Sequence, residues 1–328
     1  MSMWRFIIRR STEIVIIMFV IATLTFVLFR AMPSDPAGIM LDPMRTPEKV
    51  EIQRKLWGLD KSYTEQYFIF MKNLLHGEFG KSYHLGEGKD VYDIIKEKLP
   101  PTILLFTSTT IVAFSVGMYM GRLIAWRRGG KLEYGSTVVG MFCFSMPGFW
   151  IGLLIIWVFS FRLGLFPLGG MKTADLWMDE ASVSIFLKAL DILYHLFLPL
   201  TVGVIISFPG IMLMMKNVML ETLGEDYITT ARAKGLPEKK IRDHHAARNV
   251  MLPMVTVFTL SLVGSLGGSM ITETIFGWPG LGAEFLRAAM NYDYPVAQGA
   301  FIIMGALLLV AILITEILYA FLDPRVRY

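Results

Sequence analysis

The sequence predicts an all-α polytopic membrane protein. Six transmembrane helices are expected, with an extracytoplasmic subdomain inserted between the first and the second. Three observations carry this expectation. The 328 residues are 54% hydrophobic and the mean hydropathy is +0.54, too apolar for a soluble globular chain. Apolar runs occupy 14–29, 102–126, 134–161, 193–220, 249–275 and 295–322, and the last five exceed the ~20 residues a helical crossing needs. Basic residues gather in alternate loops: Arg5, Arg9 and Arg10; Arg122, Arg127, Arg128 and Lys131; Lys234, Lys239, Lys240 and Arg242; Arg325 and Arg327. The intervening loops are acidic or balanced, with Asp175, Asp179, Glu180 and Asp191 in one and Glu273, Glu284 and Asp293 in another. By the positive-inside rule both termini lie in the cytoplasm of a multi-pass protein of the cell membrane.

The first run follows three arginines. The LFRAMPSDP that ends it offers no small-x-small cleavage site, so a retained span is expected rather than a signal peptide. The chain then divides as a first span at 1–30, an extracytoplasmic subdomain at 31–100 and a five-helix core at 101–328. The subdomain opens on the turn-rich PSDPAG at 33–38. Tyr63, Tyr67, Met71 and Leu74 recur at helical spacing, as do Val91, Ile94, Ile95 and Leu99 behind a capping Asp90. Two short amphipathic helices over the outer face are expected. They form a cap over a pore mouth, a dock for a delivering protein, or a purely structural subdomain. Gly77-Glu-Phe-Gly80-Lys81-Ser82 mimics a phosphate-binding loop, but two residues separate the glycines where four are required, so a turn is expected.

In the second span Gly117 and Gly121 suit close helix packing, and Gly264, Gly267 and Gly268 suggest the same in the fifth. The third span contains Ser145-Met-Pro147-Gly148-Phe149-Trp150. Pro147 breaks the backbone ladder, and groups freed at that depth must face protein or a water-filled cavity. Ser145, Pro147, Phe149 and Trp150 are therefore candidates to line a path, with a kink that only shapes packing as the alternative. The loop 161–194 carries Trp177 as an interfacial anchor. The fourth span has Pro199, Pro209 and Met212, the last a further lining candidate, with His195 as a hydrogen-bonded outer tip. Thr256, Thr259, Ser265, Ser269 and Thr272 give the fifth span a polar side, from which Thr259 and Ser269 are lining candidates. Glu273 at its outer end either meets a substrate amine or is solvated.

Between the fourth and fifth spans lies the longest polar run of the second half, at 221–253. Residues 221–234 read as a helix. Gly235 ends it by tolerating a left-handed backbone, and Pro237 suits the first position of a new helix. The result is a helix–break–helix elbow at the membrane surface, a handle by which a soluble partner moves the adjoining spans. Pro253 joins it rigidly to the fifth.

The TTARAKG of 229–235, followed by the RN-x-x-LP of 248–253, resembles the cytoplasmic coupling loop of ATP-binding-cassette importer permeases, and within them the dipeptide/oligopeptide (peptide/nickel) branch, first-permease (B-type) subunit. The general pattern there is Glu-Ala-Ala, three residues, Gly, then Ile-x-Leu-Pro. Thr229 and Thr230 replace the Glu and first Ala, Ala231 and Gly235 keep their places, and the Leu-Pro lies at the wider spacing of the peptide branch. Met146 to Phe149, Gly164-Leu-Phe-Pro167 and the ETIFGWPGLG of 273–282 add to the likeness. The resemblance implies the type I ABC importer permease fold and a subunit of an ATP-driven importer of di- or oligopeptides. Partners implied are a second homologous permease, two cytoplasmic ABC ATPases and an extracytoplasmic substrate-binding protein. Ala231, Ala233 and Gly235 would permit close approach of an ATPase, and Glu225, Asp226, Arg232 and Lys234 would supply polar contacts, with Tyr227, Thr230 and Leu236 in the same seat. Importers of nickel, glutathione or sugar conjugates share this branch, and a non-transport scaffold or receptor is the alternative from another class.

No catalytic constellation accompanies these features. Asp and Glu lie almost wholly outside the spans, Glu13 and Glu316 being near their cytoplasmic ends where pairing is cheap. A proton-driven carrier is disfavoured for the same reason. Five scattered histidines and the single Cys143 support no metal site and no internal disulfide. No cofactor, nucleic-acid partner or ATP site is expected in the chain, so active transport must draw on a separate ATPase.

Overall fold

The computed structural model describes residues 3–32, 47–83, 88–127, 129–178, 183–265 and 268–322, and those residues are helices, turns and one isolated antiparallel bridge between Lys81 and Asp90. Among the described residues, four helices are long and apolar enough to cross a bilayer unbroken: Arg5–Ala31, Val91–Trp126, Ile185–Leu223 and Tyr294–Ile317. Two further crossings are bent pairs. Lys131–Ser145 meets Gly148–Arg162 at 99°, and Glu238–Met251 meets Pro253–Gly264 at 54°.

Each break has a local cause. Proline drives its predecessor out of the helical region, and Met146 is extended at φ −78°, ψ 136°. Pro147 then caps the next helix, its carbonyl accepting from the Trp150 and Ile151 amides at 3.0 and 3.3 Å. The fifth span was expected to run through 249–275 with its glycines packing against a neighbour. It ends instead at Gly264, beside which a methyl group would meet nothing within 4 Å. Gly268 adopts φ +66°, and Met270–Ile275 is a separate helix. Gly264 and Gly268 thus mark the end of one helix and the turn before the next, and Gly267 lies outside the described residues. Pro253 lies inside the helix Ala247–Gly264 and bends it, rather than joining elbow to span.

The helix expected to begin over the outer face at Val91 is the start of the second crossing, Val91–Trp126, which runs through Pro100 and Pro101 without interruption. Asp90 does cap it, accepting from the Tyr92 amide at 2.9 Å. The other short helix forms as expected, at Tyr63–Leu75, capped by Ser62. PSDPAG lies outside the described residues.

Contacts divide the chain into two units. Met1–Thr102, Gly267–Thr274 and Pro279–Tyr328 form one; Ile103–Leu266 and Ile275–Trp278 form the other. The sequence division at 30 and 100 follows the chain, whereas packing groups the first crossing with the last. In the first unit these two helices lie side by side, and Arg10 bridges Glu13 at 2.7 Å and Glu316 at 2.8 Å. Its core gathers Phe29, Val91, Ile94, Ile95, Leu281 and Ala300. The Gly77–Ser82 stretch is a turn, with φ +76° at Gly77 and +84° at Gly80. The Ser82 hydroxyl and the Tyr83 amide donate to the buried Asp293 carboxylate at 2.5 and 3.0 Å.

In the second unit Gly117 and Gly121 do pack closely. A methyl group on Gly121 would stand 2.5 Å from the Met212 carbonyl oxygen, and one on Gly117 would stand 2.7 Å from the Ile211 Cβ. Backbone cannot yield as a side-chain tip does. Gly121→Ala is therefore expected to cost about 1–3 kcal/mol by overpacking. Gly210→Ala, whose methyl group meets nothing within 4 Å, should be neutral or slightly stabilising. Thermal melts of the two variants in detergent check this pair.

Candidate functional site: the elbow at 221–253

The elbow lies wholly in the second unit. The fourth crossing stops at Leu223, where the Gly224 amide turns back to the Glu221 carbonyl at 3.0 Å. Glu225 is extended, and the helix Asp226–Ala233 follows. The helix expected over 221–234 is thus two helices hinged at Gly224 and Glu225. Thr230 donates its hydroxyl to the Asp226 carbonyl at 3.0 Å. Lys234 and Gly235 close the helix, Gly235 at φ +72° as expected, with its amide donating to the Arg232 carbonyl at 2.9 Å. Pro237 occupies the cap, one position earlier than the sequence suggested, ahead of Glu238–Lys240. The chain then winds one π-helical stretch, Ile241–Ala246, before Ala247–Gly264. Such wide turns are uncommon and recur at functional positions.

Two faces separate cleanly. Ile228 and Ala231, three residues apart and so on one side of the helix, are buried against Met215 and Met219 of the fourth crossing and Ile241, Ala246, Val250 and Met254 of the limb leading to the fifth. Glu225, Asp226, Tyr227, Thr229, Thr230, Arg232, Ala233, Lys234 and Gly235 are exposed, and Leu236 is half-buried. Ala231 was expected to admit a partner. It faces inward and packs on its own chain, so Ala233 and Gly235 are the small residues left on the outer face.

Magnitudes show which contacts hold the elbow. Arg232 reaches Glu238 at 3.3 Å, with both side chains about half exposed, a pair worth at most about 1 kcal/mol. Burying Ile228 alone is worth roughly 1.5–3 kcal/mol. The apolar seam therefore fixes the elbow, and polar contacts trim it. Arg242 grips Asp243 through two bonds of 2.7 and 2.8 Å, and Arg122 approaches the same carboxylate at 3.6 Å, linking the second crossing to the π-helical stretch. The Asn249 amide donates to the Tyr227 hydroxyl at 2.7 Å.

The pore-lining candidates fare differently. Ser145, Pro147, Phe149 and Trp150 cluster at the 99° break and are exposed. Thr259 is half-buried. Met212 is fully buried, its methyl group beneath Gly140, so it packs helices and lines nothing. In the first unit, Ser269 caps Met270–Ile275, its carbonyl accepting from the Glu273 amide at 3.1 Å and its hydroxyl from the Thr272 amide at 3.5 Å. Glu273 is neither solvated nor open to a substrate: it is fully buried. It accepts from the Thr102 hydroxyl at 2.7 Å and from the Ala283 amide at 2.8 Å, while Thr102 itself accepts from the Leu281 amide at 2.8 Å. Leu281 and Ala283 belong to the first turn of the helix Leu281–Met290, whose amides have no partner within it. Glu273 and Thr102 cap that helix from afar.

Sequence reasoning missed this cap, because its partners lie 171 and 10 residues from Glu273. It also missed a polar staple in the second unit. Asp191 accepts from the Thr173 amide and hydroxyl at 2.9 and 2.6 Å and from the Trp177 indole at 2.7 Å, which binds Trp177 to protein. His195 is hydrogen-bonded as expected, to Gly170 at 3.2 Å and Thr173 at 3.1 Å, but buried rather than at a tip.

Comparison with known proteins adds three findings. The family model described as "Binding-protein-dependent transport system inner membrane component" matches residues 113–328, and the model of the corresponding N-terminal region matches residues 3–106. The oligopeptide transport system permease protein AppB of Bacillus subtilis is 37% identical, over 98% of this chain and 99% of that protein. The dipeptide transport system permease protein DppB of Escherichia coli is 33% identical, over 99% of each. Among solved structures, the inward-facing MetNI methionine ABC transporter matches with a TM-score of 0.55 at 15% identity, covering 70% of this chain and 96% of that one.

Glu273→Ala would orphan the Thr102 hydroxyl and the Ala283 amide. It is expected to lower stability by about 1–3 kcal/mol, the cost of leaving a buried polar group unsatisfied, and to reduce any transport only in proportion to folded protein. A melt paired with a membrane-abundance blot checks it.

Proposed function

This chain belongs to the family of binding-protein-dependent transport system inner membrane components, and on that premise we propose that it imports short peptides as one permease of an ATP-driven complex. As a member of the family it is a multi-pass, non-enzymatic membrane subunit of an ABC importer and works with ATPase and permease partners. The peptide substrate is proposed from the relatives, which are oligopeptide and dipeptide permeases along their full length. The finer assembly is proposed too: a heterodimer with a second homologous permease, two cytoplasmic ATPases, and an extracytoplasmic protein that delivers the substrate. Both termini and the elbow lie in the cytoplasm in this reading, and the segment 31–100 is extracytoplasmic.

One observation carries the coupling role, namely that the elbow's outer face is polar and exposed while its inner face is keyed into the adjoining crossings. An ATPase groove would take up Glu225, Asp226, Tyr227, Thr230, Arg232, Ala233, Lys234 and Gly235. Closure of the ATPases on ATP would push the elbow, and Ile228 and Ala231 would pass the movement to the fourth and fifth crossings, alternating the access of the pore. Ser145, Pro147, Phe149 and Trp150, exposed at a broken crossing, are proposed to face the pore or the second permease.

Gly235 separates coupling from folding. Nothing lies within 4 Å of a side chain there, but φ is +72°, a conformation costing an ordinary residue roughly 1–2 kcal/mol. Asn tolerates it. Gly235→Leu is expected to abolish peptide uptake with normal membrane insertion, whereas Gly235→Asn should retain most uptake. Uptake of labelled dipeptide in a deletion strain measures both, and wild-type import by Gly235→Leu would refute the coupling role.

A further inference from the structure

The apolar seam that keys the elbow has a third contributor. The second crossing adds Phe114 and Ala125 to the buried cluster that holds Ile228 and Ile241. Phe114 meets Phe258 of the fifth crossing edge to face, with centroids 5.1 Å apart. Apolar burial is non-directional, so it holds these helices together without fixing how far one stands along another. Polar groups do fix that. One polar cluster joins the second crossing to the elbow, wholly within the second unit. Tyr119 and Arg122 supply one side of it, and Arg242 and Asp243 of the π-helical stretch the other.

The cluster sets two guanidiniums against one carboxylate. Arg242 takes both oxygens of Asp243, through Nε at 2.7 Å and Nη2 at 2.8 Å. Adjacent side chains of a regular α-helix do not face each other; this grip forms inside the π-helical stretch Ile241–Ala246. Arg122 is the unsatisfied member. Its Nη1 stands 3.6 Å from the Asp243 Oδ1, too far for a hydrogen bond. Its Nε is buried without a partner among the described residues. The Tyr119 ring, 5.8 Å from the guanidinium carbon, keeps Arg122 beside the carboxylate. A guanidinium fork matches a carboxylate, so Arg122 can hold Asp243 as Arg242 does here. A pair in the same unit shows the contrast. Lys216 of the fourth crossing meets Glu133 at 2.5 Å, with side chains 16% and 17% exposed, a closed clamp. Arg122 and Asp243 are each 29% exposed, open enough for water to ease a change of partner.

We propose that Asp243 passes between Arg242 and Arg122 as the elbow moves. With Arg242 holding it, as here, the second crossing is free to slide along the seam. With Arg122 holding it, the second crossing travels with the elbow. The elbow's movement thereby reaches the second crossing in one state of the cycle and not in the other. Arg122, Arg242 and Asp243 are positioning residues, since they act through the helices they join. The exchange rests on the coupling role proposed for the elbow; the unmet Arg122 beside a carboxylate already held is independent of it. The competing reading is a fixed brace, with the three side chains arranged alike in every state.

The test uses the assembled complex, with Cys143→Ser in this chain and cysteine-free partners. Spin labels are attached at Arg127→Cys and Lys239→Cys, both exposed positions. Pulsed electron resonance reads their separation without nucleotide and with ATP and vanadate. Two separations about 2 Å apart are expected, one per state, the scale of helix shifts in switching proteins. Arg122→Gln is expected to give the longer one in both states, and Arg242→Gln the shorter one in both. Each variant leaves Asp243 one arginine, so neither strands the carboxylate. Peptide moved per ATP should fall about fivefold or more in both. Should Arg122→Gln fail to assemble, Arg122→Lys, which keeps the charge and loses the fork, replaces it with the same expectation. A fixed brace cannot give opposite displacements in the two arginine variants. One separation in every state, or the same response to both variants, overturns the exchange. Uptake by Gly235→Leu reads the coupling role separately: wild-type import there sinks the coupling, whereas a single separation sinks only the exchange.

Discussion

An eight-residue helix cannot stand alone in water. Nucleation is costly and two turns return too few bonds to offset it. The helix Asp226–Ala233 exists because Ile228 and Ala231 sink into an apolar seam formed by Met215, Met219, Ile241, Ala246, Val250 and Met254. That seam is the constraint on which the functional account depends. It makes the elbow continuous in packing with two crossings, and it turns every other side chain of the helix outward. The polar contacts at its edge, from Arg232 to Glu238 and from Asn249 to Tyr227, set orientation and add little energy.

The same economy governs the interruptions in the crossings. A break in a helix frees backbone groups, and the protein meets them with specific partners. Pro147 receives two amides from the helix it starts, and Ser269 receives those of Thr272 and Glu273 at the start of Met270–Ile275. Glu273 and Thr102 serve the first turn of Leu281–Met290. Pro100 and Pro101 remove the amides that would reach the Lys96 and Glu97 carbonyls, yet the helix continues. Both of those residues are exposed, at the polar end of the crossing, so their carbonyls can be solvated.

How far the sequence discloses all this depends on the range of the cause. Crossing positions follow from apolar length, and the break at Met146 and Pro147 from one peptide's sterics. The left-handed Gly235 follows from its place after a polar helix. These are local, and a single sequence shows them. Met212 and Glu273 look like pore candidates because polarity and position are visible while partners are not. Burial under Gly140, or a bond to Thr102, depends on residues far along the chain. Ala231 was read as an outward small residue because the motif flags it without saying which side of a two-turn helix it occupies. Its spacing from Ile228 held the answer, since apolar residues three apart on a polar helix point to a buried stripe.

The central claim is that force delivered to the elbow's polar face reaches the crossings through its apolar seam. The direct measurement is the ratio of peptide moved to ATP hydrolysed by the reconstituted complex carrying Ile228→Ala. The account predicts an assembled complex that still hydrolyses ATP while transport per ATP falls at least about tenfold, because a truncated seam lets the elbow yield without moving the helices. An unchanged ratio in a complex that assembles normally would contradict it.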